Sequence, residues 1–289
     1  MYYAFILNPA AGSGHAVETM NLMEQELRQQ QIDYRIFRTE RQGHATDIAR
    51  ELSADNDITA VISVGGDGTA FEVANGLAGT GKAMGIIPSG TGNDFIKSVG
   101  LPRKPMEALQ YILTHQAKKV DMGRLNDGRF LNVCGTGFDV TVLDYTESFK
   151  KRFRGLTPYL FGLIKAIFHY TPVHLRIETD EFSEEGDYLV CSIANGQYIG
   201  GGIPICPIAE PDDGKLDLVL ISNIRRVAIP RYLPGLLKGK DLSFKMTRHF
   251  RVEHVTIEND DMRLNVDGEI FPMKKAEFAV EKAILNLIC

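Results

Sequence analysis

An apolar run that ends in a glycine-rich loop restricts the possible folds of this chain more than any other segment. Residues 58–64 read ITAVISV, and the next five residues read GGDGT. A mostly apolar, β-branched run is typical of a strand buried on both faces. Successive glycines after such a strand let backbone N–H groups approach phosphate oxygens without a clash from Cβ. The pattern predicts a strand whose carboxyl end carries a phosphate-binding loop.

The order of strand, loop and helix occurs four times in the first 120 residues. Short apolar runs at 3–7, 32–37 and 84–87 are predicted strands, and residues 15–31 carry apolar side chains at helical spacing. This alternation predicts an α/β domain in which helices cover both faces of a parallel sheet.

The pattern changes after about residue 121, where we place a domain boundary. Short β-rich runs follow, separated by the turn sequences NDG, DDG and DG. Such runs predict an antiparallel sheet, either a sandwich or an open barrel. One helical insert is predicted at about 158–170.

Composition excludes several classes of protein. The 289 residues are 44% hydrophobic and 24% charged, which is typical of a globular protein, and the net charge of −5 argues against a nucleic-acid binder. The four cysteines form no C-x-x-C pair, so they suggest reduced cytosolic thiols and neither a zinc site nor a redox motif. We expect a first strand and no signal peptide at the N-terminus. Residues 188–209 lack formal charge, but their glycines and prolines argue against a membrane-spanning helix.

Two further loops resemble phosphate-binding sequences. Residues 89–94, SGTGND, follow a predicted strand and open a helix, so they predict either the other wall of a nucleotide site or a helix N-cap. Residues 76–83, GLAGTGKA, nearly match a P-loop. Ala83 lacks the hydroxyl group that such a loop needs, and the segment follows a helix. We therefore interpret it as a helix C-cap, and Lys82 is not a P-loop lysine.

Carboxylates supply the candidate chemistry. Asp67 could hold Mg²⁺ or a water molecule on it. In residues 264–269, LNVDGE, strand alternation places Asn265 and Asp267 on one face with Glu269 just beyond, and an exposed hairpin turn is the alternative. Residues 210–217, EPDDGKLD, could bind a hard cation or form a solvated turn.

Together these motifs resemble the diacylglycerol kinase catalytic-domain family of soluble lipid kinases, most closely its bacterial members. The resemblance covers essentially the whole chain. Its motifs are residues 8–12, 65–69, 90–94, 120–123, 195–202, 213–217 and 267–269. NAD kinases and, more distantly, phosphofructokinases share the GGDGT loop, whereas the ordered set with the late DGE is more specific to lipid kinases.

The resemblance implies a two-domain fold. An α/β nucleotide-binding domain would comprise residues 1–121 and be completed by residues 283–289. A β-sandwich-like domain, residues 122–282, would bind the lipid and a metal ion, with the active site in the cleft between the two.

The resemblance also implies roles for individual residues. Glu269 would accept the proton of the lipid hydroxyl group, and Asp67 and Asp94 would be the other catalytic carboxylates. Asp67, Asn93, Asp94 and Asp121 would form the polar and Mg²⁺ network around the phosphates. The ATP-contacting residues would be Asn8, Pro9, Ala10, Ala11, Gly12, Thr39, Gly65, Gly66, Asp67, Gly68, Thr69, Thr91 and Asn93.

A structural Mg²⁺ is implied for the second domain. The Asp213 carboxylate would hold it together with backbone oxygens of Glu210 and Lys215. Lys215 departs from the family pattern, which often has an apolar residue there. A backbone ligand tolerates this change.

The function implied is that of an ATP-dependent kinase acting on the hydroxyl group of a diacylglycerol-like lipid. Alternatives are another lipid alcohol, such as phosphatidylglycerol or a sphingoid base, a soluble substrate such as NAD, or a non-catalytic nucleotide- or lipid-binding regulator. We expect a cytoplasmic protein that associates peripherally with the inner face of the membrane. A homodimer is left open. The basic and then aromatic segment 150–168 would dock on the bilayer, or would form a core helix with a basic flank.

Overall fold

The computed structural model describes residues 1–150 and 157–289. Contacts divide the chain into two compact units. Unit 1 comprises residues 1–122 and 282–289, and unit 2 comprises residues 123–281. The predicted basic residues Lys151, Arg152 and Arg154 lie outside the described residues.

Helices and strands alternate in the first part of the chain and give way to strands in the second. The elements up to the first boundary are β1 (Tyr2–Leu7), α1 (His15–Gln29), β2 (Tyr34–Arg38), α2 (His44–Ser53), β3 (Ile58–Gly65), α3 (Asp67–Leu77), β4 (Ala83–Pro88), α4 (Asp94–Ser98), α5 (Pro105–Thr114) and β5 (Ala117–Leu125). Those that follow are β6 (Gly128–Phe130), β7 (Val133–Gly137), α6 (Phe138–Lys150), α7 (Thr157–His169), β8 (Val173–Thr179), β9 (Ser183–Ala194), β10 (Tyr198–Ile199), β11 (Ile203–Pro204), β12 (Leu216–Ser222), α8 (Ile229–Leu236), β13 (Thr247–Val252), β14 (His254–Val266) and β15 (Glu269–Ile288).

Unit 1 is built on a parallel sheet in the order β2, β1, β3, β4 and the end of β15. Its last strand places Asn286 beside Ala83. Phe5, Ile62 and Val64 are fully buried in one core cluster with the apolar stripe of α1. The predicted parallel α/β sheet is therefore confirmed, and the carboxyl ends of its strands lie at one edge.

Unit 2 is antiparallel throughout its paired strands, in the order β13, β12, β9, β7, β14 and β15. Strand β8 pairs with both β9 and β14. Leu216, Leu218 and Leu220 belong to a core cluster shared by the strands, whereas Val219 and Ile221 belong to a second cluster formed with α6 and α7. The predicted antiparallel sandwich is confirmed.

The prediction of one helical insert in this part of the chain was wrong. Helix α7 lies where the insert was expected, but α6 and α8 are present as well. Helix α6 was not predicted because it contains Val140, Thr141 and Val142, and β-branched residues favour strands. Among the described residues, no helix is long and apolar enough to cross a membrane.

Candidate functional site

The glycine loops of unit 1 pack backbone against backbone. A Cβ added to Gly90 would lie 2.4 Å from the Cα atom of Gly66. A Cβ added to Gly12, whose φ is +58°, would lie 2.3 Å from the carbonyl oxygen of Ser89. These glycines are therefore required by the contact between the loops that follow β1, β3 and β4.

Gly68 differs from those three glycines. It lies in the first turn of α3, has no positive φ, and a Cβ added there would meet no atom within 4 Å. Neither backbone conformation nor packing accounts for the missing side chain. The position is open beside the N-terminus of an 11-residue helix, where backbone N–H groups and the helix dipole favour an anion.

Asp67 joins the two main loops. Its Oδ1 accepts hydrogen bonds from the backbone N–H groups of Asp94, at 2.6 Å, and Phe95, at 3.2 Å. Burial and then the nearby Asp94 carboxylate raise the pKa of Asp67. Asp94 pairs with Lys97 at 2.8 Å, and both side chains are nearly buried. The sequence analysis missed Lys97, which follows the second glycine loop.

Other predicted contact residues shape the loops themselves. The Asn8 side chain donates to Thr69 Oγ1 at 3.1 Å and accepts from the Ala10 N–H at 3.0 Å. Asn93 has a φ of 49°, and its amide exchanges two hydrogen bonds with the backbone of Gly90. These side chains hold the glycine backbone in place.

The strand ends contribute further groups. The Thr39 N–H donates to the carbonyl of Leu7 at 2.9 Å, which holds Thr39 beside the end of β1. Thr91 is exposed. Ser89 was not among the predicted contacts, yet its Oγ is buried and has no hydrogen-bond partner among the described residues. A buried hydroxyl group without a partner suggests an absent ligand or water molecule.

Asp121 has a structural partner. Its Oδ1 accepts a 2.6 Å hydrogen bond from the N–H of Ala283, which has a φ of 54°. Only 3% of Asp121 is exposed. The carboxylate therefore ties the C-terminal segment of unit 1 to β5, and its role in a metal network remains a prediction.

The residues of unit 1 fit a hard cation. Asp94 is buried and Asp67 is half-buried, and the nearby Asp94 carboxylate raises the pKa of Asp67, so a cation bound between them would be favoured even though Lys97 already pairs with Asp94. Oxygen donors of this kind are those that Mg²⁺ prefers.

Unit 2 presents Glu269 at the tip of a hairpin. Asp267 and Gly268 join β14 to β15 with φ values of 48° and 100°, the two positive values of a type I′ turn. Val266 and Glu269 flank the turn as a register pair. Glu269 is exposed at the start of its strand.

Asp267 fixes this hairpin to the loop before β7. Its two carboxylate oxygens accept hydrogen bonds from the N–H groups of Leu131, Asn132 and Val133, at 2.6, 2.9 and 3.0 Å. The Asn132 side chain in turn donates to the carbonyl of Tyr198 at 2.6 Å. Asp267 is therefore an anchor for the hairpin, a role that was not predicted from the sequence.

A buried carboxylate that the sequence analysis missed lies beneath the hairpin. Burial raises the pKa of Asp139 to about 6, and Asn265 donates to its Oδ2 at 3.2 Å. Asp139 Oδ1 and Ser192 Oγ are buried without a hydrogen-bond partner among the described residues. The sequence signal was the small-residue run 135–137 immediately before Phe138 and Asp139.

In the predicted metal loop of unit 2, the carboxylate of Asp213 already has protein partners. Asp213 Oδ1 accepts from the Lys215 N–H at 2.9 Å, and Oδ2 pairs with Arg251. The Glu210 carbonyl accepts a long bond from the Asp213 N–H, at 3.4 Å. Both oxygens of the Asp213 carboxylate therefore have protein partners, and the Mg²⁺ site of this loop stays a prediction.

Comparison with known families matches both parts of the chain. Residues 2–125 match the family described as the diacylglycerol kinase catalytic domain. Residues 132–289 match the family described as the YegS C-terminal NAD kinase beta sandwich-like domain.

Individual proteins with related names are similar to this chain. A probable lipid kinase YegS-like of Pseudomonas aeruginosa is 34% identical over 85% of this chain and 81% of its own. A diacylglycerol kinase of Mycobacterium tuberculosis is 29% identical over 98% and 93%. A crystal structure of a candidate diacylglycerol kinase from Bacillus anthracis is 27% identical, covers 99% of this chain and 97% of its own, and has a TM-score of 0.81.

Proposed function

The chain belongs to the diacylglycerol kinase catalytic-domain family, and we propose on that premise that it transfers the γ-phosphoryl group of ATP to the hydroxyl group of a diacylglycerol-like lipid. The nucleotide part of the proposal rests on the open position at Gly68, because the three glycine loops leave no such space at Gly12, Gly66 or Gly90.

The nucleotide phosphates bind at the N-terminus of α3 in this proposal. Backbone N–H groups near Gly68 donate to the phosphate oxygens, and the hydroxyl group of Ser89 supplies a further donor. Phosphoryl transfer depends mainly on positioning and on charge stabilisation. Magnesium bound by Asp67 and Asp94 would neutralise phosphate charge.

Glu269 is the proposed general base. Its carboxylate takes the proton of the lipid hydroxyl group as the oxygen attacks the γ-phosphorus. The type I′ turn and the three N–H bonds to Asp267 hold the hairpin that presents Glu269 to solvent. Closure of the two domains around both substrates stays a prediction from the family resemblance.

Helix α7 supports peripheral membrane association. Leu163, Ala166 and Ile167 are buried on one face. The opposite face exposes four apolar side chains, which are Leu160, Phe161, Ile164 and Phe168. A helix with one face in the core and a second apolar face in solvent can insert shallowly into a bilayer. The buried face of α7 supports the core-helix alternative, and the exposed apolar face supports the proposed membrane contact.

The decisive assay supplies labelled ATP with Mg²⁺ and a panel of alcohols. The panel contains diacylglycerol, phosphatidylglycerol, ceramide and a sphingoid base in mixed micelles, and NAD without detergent. Mass spectrometry identifies the phosphorylated product. Phosphorylated diacylglycerol is the expected result, and turnover of NAD alone would overturn the lipid assignment. Labelled product that is unchanged in a Glu269→Gln variant would overturn only the assignment of the base.

Vesicle sedimentation tests the membrane contact. Leu160→Ser combined with Phe168→Ser should reduce binding to anionic vesicles, because both side chains are exposed and their loss leaves the core face intact. Replacing exposed Leu22 in unit 1 by Ser is the matched control. Equal sedimentation of all three proteins would contradict the docking role of α7.

A further inference from the structure

Three potential metal ligands meet in unit 2 outside the loop of Asp213. The side chains of Cys206, Asp217 and His249 each offer one ligand atom, and these atoms lie within 4.8 Å of one another. His249 Nε2 and Asp217 Oδ1 are 2.6 Å apart. The three residues come from a loop, from β12 and from β13, so only the fold brings them together.

Strand geometry explains the meeting. His249 is the register partner of Val219, and strand alternation puts Asp217 on the same face as Val219. That face carries the second core cluster of unit 2, to which Val219 and Cys206 belong. The loop that contains Cys206 therefore covers the end of β12 where Asp217 lies.

The burial of Asp217 is costly without a strong partner. Only 3% of Asp217 and none of Cys206 is exposed. A carboxylate in an apolar layer is unfavourable unless a positive charge or several hydrogen bonds compensate it. The imidazole of His249, about one-fifth exposed, is the partner seen in the structure, and it also provides a route from solvent.

We propose that Cys206, Asp217 and His249 form a binding site for a divalent transition metal of the zinc type. Tetrahedral bonds of about 2.0–2.3 Å place the ligand atoms roughly 3.3–3.6 Å apart. The ligand atoms of the cluster lie within 4.8 Å of one another, so metal binding would lengthen the 2.6 Å contact between His249 and Asp217 by about 0.7 Å and bring all three atoms to the tetrahedral spacing. Water takes the fourth position.

The donor set decides the class of metal. Thiolate and imidazole ligands select zinc-type ions and disfavour Mg²⁺. Binding releases the thiol proton of Cys206 to solvent. Nε2 of His249 gives up the proton with which it contacts Asp217, so the neutral imidazole that binds through Nε2 has its proton on Nδ1. The charges of a thiolate, a carboxylate and a divalent ion sum to zero, so the metal would neutralise the buried charges of Cys206 and Asp217.

Metal binding at this site would link the Cys206 loop to strands β12 and β13. That loop follows the short hairpin of β10 and β11, to which Asn132 is hydrogen-bonded through Tyr198. The proposal does not depend on the kinase assignment, because metal binding and its effect on this loop can be measured without any substrate.

Cobalt titration of the full chain tests the site. After chelation and dialysis, Co²⁺ should give the near-ultraviolet charge-transfer band of a cobalt–thiolate bond, and Zn²⁺ should abolish it. Cys206→Ala should remove the band, and His249→Gln should lower the affinity at least roughly tenfold. Cys289→Ala and His254→Gln, which change residues outside the cluster, should behave as the wild type.

Folding and metal binding are separated in the same experiment. Circular dichroism reports whether each variant folds, and His249→Gln carries the test where Cys206→Ala does not. Zinc should raise the melting temperature of the wild type and not of the variants. Absence of the thiolate band in the wild type, or a band that survives in a folded Cys206→Ala variant, would overturn the proposal.

Discussion

The two units hold their proposed functional groups in different ways. Unit 1 packs main chains against one another at Gly12, Gly66 and Gly90, and the Asp67 side chain joins two of these loops. Unit 2 uses side chains, since Asp267 accepts three backbone N–H groups and thereby holds the hairpin of Glu269. The packing of unit 1 leaves no room for a Cβ at Gly12 or Gly90, whereas the hairpin of unit 2 depends on the two oxygens of one carboxylate.

The largest expected effect is at the base proposed in unit 2. Glu269→Gln keeps the shape of the side chain and removes the basic oxygen, so kcat on the best lipid should fall roughly 10²–10⁴-fold. ATP affinity, measured by calorimetry, should stay nearly unchanged. Glu210→Gln is the control, because only its backbone carbonyl was implicated. Wild-type kcat in Glu269→Gln would transfer the role to Asp67 or Asp94.

The second-largest effect is expected at Asp267, which anchors the hairpin of unit 2. Asp267→Asn removes the charged acceptor from all three N–H groups of residues 131–133 and leaves at least one of them facing an amide nitrogen, which cannot accept; hydrogen bonds to charged groups are strong. The free energy of unfolding should fall by about 3 kcal/mol. Denaturant unfolding measures this, with the exposed Asp212→Asn as control. Equal stability of both variants would show that the hairpin does not need its anchor.

The buried carboxylate of unit 2 predicts a pH dependence. The folded-state pKa of Asp139 is about 6, above the unfolded value of 3.8, so the folded state keeps a proton that the unfolded state releases. This group stabilises the fold fully below pH 4, and the contribution disappears as the pH rises to about 6. It amounts to at most about 3 kcal/mol.

Asp139→Asn should flatten that slope. The variant cannot ionise, so its free energy of unfolding should change less than that of the wild type between pH 4 and 6. The raised pKa of Asp67 acts in the same direction and leaves a residual slope. Parallel pH profiles for the two proteins would contradict the assignment.

The smallest expected effect comes from a comparison of Gly68 with Gly90, both in unit 1. Gly68→Val should leave folding cooperative, since the position is open, but should weaken ATP binding by roughly tenfold, or about 1.4 kcal/mol. Gly90→Ala should instead lower the melting temperature, because its Cβ would clash with Gly66. Calorimetry and thermal unfolding distinguish the two outcomes. Unchanged ATP affinity in a folded Gly68→Val variant would remove the phosphate-loop assignment.

The sequence predicted the structure best where the spacing of residue types reflects the backbone conformation of a strand or a loop. Residues 58–64 were predicted as a buried strand, and β3 spans Ile58–Gly65. The fold class and the family followed from such motifs. The anchoring role of Asp267 could not be predicted, because both acids follow one strand and only the turn geometry directs Asp267 towards the N–H groups of residues 131–133. Asp139 was missed because a single acid after small residues has no periodic signal, and burial alone makes it unusual.

Strand β15 has a consequence for how the protein is made. It runs from Glu269 to Ile288, and its last residues complete the sheet of unit 1, which is otherwise formed by residues 1–122. The ribosome therefore synthesises all of unit 2, a contiguous segment, before unit 1 receives this strand. Unit 1 is started before unit 2 and completed after it. Removal of residues 282–289 would leave unit 2 whole and would leave the sheet of unit 1 without the strand that pairs with β4.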